Sequence, residues 1–180
     1  AFIKPPPAMP FYLQLGIWLA EREAGQSLLP ARLLAWYPKA AISSGVLEAM
    51  IASGRDGLSP RLLQVVRLQT SLIVSCPFCI AMNSVDSEEG PLTPEEVSAL
   101  QGQIELEAVA TFNRRERLAA EYARLISATP LFFPPAFREE LTANFTEREI
   151  VILATTAAQV NYWARLIQAL GIPVGKPRRG

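Results

Sequence analysis

The chain has 180 residues, half of them apolar and 19% charged, with 17 basic and 17 acidic side chains, so its formal net charge is zero. This is the composition of a globular chain long enough for one domain with its own core, and no basic excess marks nucleic acid as a partner. Histidine is absent and cysteine occurs twice, which excludes Ser-His-Asp and Cys-His catalysis, leaves too few ligands for an ordinary zinc site, and excludes a disulfide scaffold.

The N-terminal "AFIKPPPAMP" is read as an extended arm, because prolines at 5, 6, 7 and 10 cannot continue a helix. It lacks the basic region and apolar core of a secretory signal. "FYLQLGIWLA" follows as a short apolar helix over 11–24, ended by Glu21, Arg22 and Glu23 and closed by Gly25; it is read as a core helix rather than a membrane-surface anchor. No uninterrupted apolar run reaches the ~18 residues of a spanning helix. The expected location is therefore cytoplasmic, with no membrane and no nucleic acid among the partners.

Pro30 marks an early position of a helix in "PARLLAWY", and Pro38 breaks it before "KAAISSGVLEAMIAS". In "LSPRLLQVVRLQTSLIVS", Ser59 is the expected N-cap and Pro60 the first helical residue, with apolar side chains recurring at helical spacing. Pro77 disfavours helical geometry at Cys76, which places a break there and a new helix start at Pro77. Thr93, Pro94 and Glu96 predict a capped helix. Further helices are expected in "RRERLAAEYARLIS" and "PPAFREELTANF". The last helix is capped by Thr146 and Glu149 and ended by Gly171 and Pro173. The β-prone "IVIL" at 150–153 lies inside that capped pattern. The fold class is all-α, a single-domain bundle of about eight helices, with an arm over 1–10, a helical domain over 11–173 and a basic tail over 174–180. Segments 58–66 and 145–153 echo each other in cap, arginine and apolar run.

The chemistry-bearing stretch is "SLIVSCPFCIAMNSVDS", residues 71–87. A Cys-x-x-Cys pair at a helix start can bring both sulfurs within bonding range, and the unpaired N–H groups there favour a thiolate. Cys76 takes the cap, Cys79 the first turn, and Asn83 lies one turn beyond Cys79 on the same face. Two readings follow from these residues: a redox pair, or two small core side chains with Asn83 bonding backbone. A thioredoxin architecture would need alternating strands and helices, which the pattern does not supply. The acidic Asp86, Glu88 and Glu89 read as solvated loop residues. Arg67, on the preceding helix, is expected to face solvent or a surface partner rather than the cysteines.

The run from Leu58 to Gln101, with its capped helix, Cys-x-x-Cys and short acidic helix, resembles the core of the carboxymuconolactone decarboxylase and alkylhydroperoxidase-D-like family. "FTEREIVILATTAAQVNYWARLIQALGIP" is similar to that family's final helix, including Asn161, Trp163, Arg165 and Leu166. The arm and "LPARLLAWYPKAA" resemble its longer, peroxidase-related members. The resemblance implies that Cys79 attacks peroxide and Cys76 resolves it as a disulfide. It also implies a proton relay at two positions, here held by Gln64 and Asn83 where the family carries glutamate and histidine; Phe78 replaces a tyrosine. Amides hydrogen-bond but do not exchange protons near neutral pH, so the expected activity is peroxide or disulfide reduction with an attenuated relay. No cofactor or metal is implied. The implied partners are a peroxide or disulfide substrate, an external dithiol reductant and further copies of the chain in a trimer or hexamer, which the mean hydropathy of +0.19 also favours. The alternative is a non-enzymatic member acting as an oligomeric binding or scaffold protein.

Overall fold

The computed structural model describes residues 1–25, 27–84 and 90–174. Asp86, Glu88, Glu89 and the tail from 175 onward lie outside the described residues. Among the described residues the regular structure is helical, as the sequence pattern requires, with nine α-helices and two 3-10 turns. The chain divides into two compact units, one of residues 1–51 and 166–180 and one of residues 52–165.

In the first unit, α1 (Phe11–Glu23), α2 (Leu29–Leu34) and α3 (Pro38–Ala49) follow the extended arm. Pro30 sits in the first turn of α2 and Pro38 opens α3 instead of merely interrupting its predecessor. The arm is tied down by its backbone: Trp36 Nε1 donates to the Lys4 carbonyl at 2.8 Å, and Phe2 N donates to Leu170 O at 3.4 Å. The Phe2 ring comes within 3.0 Å of where a Cβ on residue 171 would stand, and residue 171 has φ +59°; glycine meets both demands. Arg32 grips Glu21 with two bonds of 2.6 Å, linking α2 to α1. That pairing, helped by the Leu28 N–H and against the opposing effect of burial, holds the Glu21 carboxyl down to about 2. The expected core role of α1 is not what forms. Only Leu13 of α1 is buried, and Phe11, Tyr12, Leu15, Trp18 and Leu19 are exposed. Their 11/15/18 and 12/15/19 spacing makes one apolar stripe, which no element of the described chain covers.

In the second unit, α4 (Pro60–Ile73) is the central element, packed most extensively against α7 (Arg114–Ser127) and then α5 (Pro77–Asn83). The remaining helices are α6 (Pro94–Leu100), α8 (Pro135–Asn144) and α9 (Glu147–Ala169). Ser59 accepts from Leu62 N, and Thr93 and Glu96 close a reciprocal capping box, as expected from the sequence. A second box, Asn113 with Glu116, opens α7. Two apolar clusters flank α4. Leu62, Leu63 and Val66 pack with Leu118, Leu141, Phe145 and Leu153, while Val65 and Leu68 pack with Leu100, Val109 and Phe112. The two echoing segments thus both form hydroxyl-capped helix starts that meet in the first cluster. Among the described residues, α9 is the one helix long and apolar enough to cross a membrane by length and composition. Its stripe of Leu153, Ala157, Val160 and Ala164 is buried inside the protein, which is how a core helix passes the same test.

Arg61, in the first turn of α4, joins the two capping boxes. Its Nε donates to Glu116 Oε1 at 2.8 Å and its Nη2 donates to Glu96 Oε1. The second oxygen of each carboxylate is taken by a cap N–H, Asn113 N at 2.9 Å and Thr93 N at 2.8 Å. Both glutamates are almost fully buried, at 1% and 3% exposure. Burial pushes the Glu96 carboxyl up, but Thr93, Thr111 and Arg61 together outweigh it and hold that group below the usual range.

One buried group contradicts this careful pairing. Gln69 is fully buried and neither of its amide atoms has a hydrogen-bond partner. An unpaired buried amide costs about 1–3 kcal/mol. Gln69→Leu is therefore expected to raise the unfolding free energy by about that amount, read as a higher denaturant midpoint at unchanged slope. A lower midpoint would mean that the amide is satisfied in solution.

Candidate active site

The end of α4 and the start of α5 are built by one turn. Cys76 N donates to Ser71 O at 3.2 Å and Ser75 N to Leu72 O at 3.0 Å. This is the paired-bond helix stop in which the residue after the cap turns left-handed. Here that residue is Ser75, at φ 50°, a conformation usually given to glycine. The turn delivers Cys76 as the N-cap of α5, with Pro77 as the first helical residue, as the sequence predicts.

Cys76 and Cys79 are joined by a disulfide with Cα atoms 5.3 Å apart. Cys79 N donates to Cys76 Sγ at 3.2 Å, so the sulfur fills the acceptor role of a serine or aspartate cap. Cys76 is fully buried and Cys79 is 4% exposed. Both cysteines thus belong to the buried interior. Asn83 lies one turn beyond Cys79, at the end of α5, and its Nδ2 donates to Ser71 Oγ at 3.0 Å. Ser71 Oγ in turn donates to Arg67 O at 2.7 Å. Cys76, Cys79, Asn83 and Ser71 thus form one constellation across the α4–α5 junction.

Gln64 is buried on α4, seven residues before Ser71. Two helical turns put it on the Ser71 face of α4, about 10 Å away along the axis. Arg67 is half-buried, and its Nη2 donates to the Ala52 carbonyl, a partner other than the cysteines. Ser71 is the residue that sequence reasoning undervalues. It passes for one more position in the apolar repeat of α4. Its signal is its place about two turns after Gln64 and five residues before Cys76, where a helix stop must supply a carbonyl. Among the described residues no cluster of three or more Cys, Asp or Glu side chains could hold a metal ion.

No family model matches the chain. A curated relative, the uncharacterized protein YnjA of Escherichia coli, is 26% identical over 165 residues, covering 92% of this chain and 89% of that one. An uncharacterized peroxidase-related protein from a Silicibacter species superposes with a TM-score of 0.76 at 18% identity, over 99% of this chain and 93% of that one. A peroxidase-related protein with an alkylhydroperoxidase AhpD core, from Ralstonia eutropha, gives 0.73 at 17% identity, over 97% and 92%. The chain has the alkylhydroperoxidase-D-like fold. The debrominase Bmp8, as a cysteine variant in complex with 2,3,4-tribromopyrrole, shares this fold with a TM-score of 0.77 at 16% identity, over 97% and 92%. The all-helical fold that the resemblance implied is thus the fold found. Within it, Asn161 of the final helix donates to Ser127 Oγ at 3.0 Å and so ties α9 to α7.

Proposed function

We propose that this protein is a thiol-redox protein that cycles Cys76 and Cys79 between dithiol and disulfide, reducing a peroxide or a disulfide substrate. The single observation that carries the reading is the Cys76–Cys79 disulfide at the start of α5; Cys79 as the attacking sulfur follows the family resemblance. In the peroxide reaction, the Cys79 thiolate attacks one peroxide oxygen, the O–O bond breaks, and water or an alcohol leaves. The resulting Cys79 sulfenic acid is attacked by Cys76, releasing water and forming the disulfide. An external dithiol then attacks Cys79 Sγ, and Cys76 leaves into the N–H bond that Cys79 N already directs at it. A second attack within the dithiol frees Cys79, so two electrons and two protons enter per cycle.

Asn83, bonded to Ser71 Oγ, and Gln64 carry amides, which move no proton at neutral pH. Turnover is therefore slow relative to a site with a titrating relay. The test is steady-state peroxide consumption with a chemical dithiol as reductant. Cys79→Ser is expected to bring the rate to the uncatalysed background. Activity surviving in Cys79→Ser rules out the assigned nucleophile. Rates at background in the wild type favour the scaffold reading instead.

A homo-oligomer, a trimer or hexamer, is part of the proposal. The exposed stripe of α1 supports it, because Phe11, Leu15, Trp18 and Leu19 are 45–77% exposed in one chain and contiguous apolar surface of this kind marks contact sites. Sedimentation equilibrium at micromolar concentration is expected to return a multiple of 19.7 kDa, and a clean monomer contradicts it.

A further inference from the structure

We propose that Ser71 is a positioning residue of the cysteine pair, one that holds both ends of α5 on α4 and so keeps the reduced sulfurs poised to close. The inference rests on the redox reading above. α5 has only seven residues. At its start, Cys76 N donates to the Ser71 carbonyl at 3.2 Å; at its end, Asn83 Nδ2 donates to the Ser71 hydroxyl at 3.0 Å. One residue therefore clamps the helix through its backbone at one end and its side chain at the other.

The direction of the clamp follows from hydrogen-bond accounting. Ser71 is fully buried and its hydroxyl proton is committed to Arg67 O at 2.7 Å. A hydroxyl whose proton is used can only accept, so the group facing it must be the NH₂ of Asn83. The Asn83 carboxamide is thereby fixed in orientation, and its position carries a structural role distinct from proton transfer. In the oxidised protein the disulfide itself fixes α5. In the reduced protein that covalent restraint is gone, and the Ser71 contacts hold α5 in place alongside its own cap bonds, Cys79 N to Cys76 Sγ and Ile80 N to Cys76 O. Losing the side-chain contact loosens the dithiol more than the disulfide, so it shifts the equilibrium toward the dithiol and slows closure.

The equilibrium is protein disulfide plus dithiothreitol dithiol giving protein dithiol plus cyclic dithiothreitol disulfide, which balances in electrons and protons. The full chain is equilibrated in oxidised and reduced dithiothreitol of set ratio, quenched by alkylation and read by mass spectrometry. Ser71→Ala and Asn83→Ala are each expected to move the oxidised-to-reduced ratio toward reduced by roughly two- to ten-fold, the range of one net hydrogen bond. The double variant is expected to move it no further than the larger single, because the two residues form one contact. A ratio unchanged in both singles, shifted toward oxidised, or shifted additively in the double overturns the inference while leaving the redox reading in place. A wild-type pair that never exchanges with dithiothreitol removes the redox reading itself, and the inference with it.

Discussion

Asn83→His combined with Gln64→Glu is expected to raise peroxide turnover toward the 10²–10⁴-fold span of general acid–base help. Both cysteines, their spacing and their helix-start geometry are in place, so on the proposed peroxidase reading these substitutions supply the missing proton transfer. An imidazole at position 83 can keep the clamp, donating one ring N–H to Ser71 Oγ while its other nitrogen takes a proton from the site. Each single change is expected to help less than the pair, since a relay acts as a unit. The gained activity also acquires a pH dependence. A histidine acting as base must be neutral, so the gain rises with pH through about 6.5 and fades in acid. The carboxyl introduced at the buried position 64 is pushed up by desolvation, which trims the gain. The check is steady-state peroxide consumption across pH for the wild type, both singles and the double. A double variant that folds and keeps its disulfide chemistry, yet gains nothing, moves the function off the peroxidase axis.

Arg61→Ala is expected to be the most destabilising single change, at about 3–5 kcal/mol, the usual cost of orphaning buried charges. It leaves Glu96 and Glu116 without their shared cation while each still serves its capping box. Against a typical total stability of about 5–15 kcal/mol, the loss is read as a large fall in denaturant midpoint. Arg61→Lys, which keeps the charge but not the two-armed geometry, is expected to fall in between. The pH dependence has a definite sign. In the wild type the lowered carboxyls of Glu21, Glu96 and Glu149 contribute stability that is present above their ordinary value of 4.5 and lost as pH falls through their folded values, about 2 for Glu21. In Arg61→Ala the deficit is instead largest at neutral pH and shrinks on acidification, because protonation removes the orphaned charges. A deficit that is small at pH 7, or that grows in acid, contradicts this account of the junction.

What the sequence discloses here is mostly local. Ser59 with Pro60, Thr93 with Glu96 and Thr146 with Glu149 announce helix starts because a cap needs only residues within one turn. Pro77 announces the α4–α5 break, and with it the placing of Cys76 as cap and Cys79 in the first turn. Asn113 does the same work as Thr93, but the arginines that follow it draw attention to charge rather than to the cap. Contacts between distant residues leave no such mark. Arg61 meets a carboxylate 55 positions later, and nothing in "SPRLLQ" distinguishes it from a solvated arginine. Ser71 hides because a buried serine in an apolar repeat reads as a packing residue until its hydroxyl partner is seen. The apolar letters of α1 give the opposite error: they suggest a core helix, yet no element among the described residues buries the stripe.

The central claim, that Cys76 and Cys79 are a reversible redox couple in the folded protein, is tested most directly by differential alkylation and mass spectrometry through one full cycle. The native protein is reduced with dithiothreitol, freed of reductant, treated with stoichiometric peroxide and alkylated. The account predicts two alkylated thiols before peroxide, a Cys76–Cys79 linkage after it, and no linkage in Cys79→Ser. Thiols that stay fully alkylated after peroxide in the native protein, while the unfolded chain oxidises, would contradict it and leave the pair as two buried core residues.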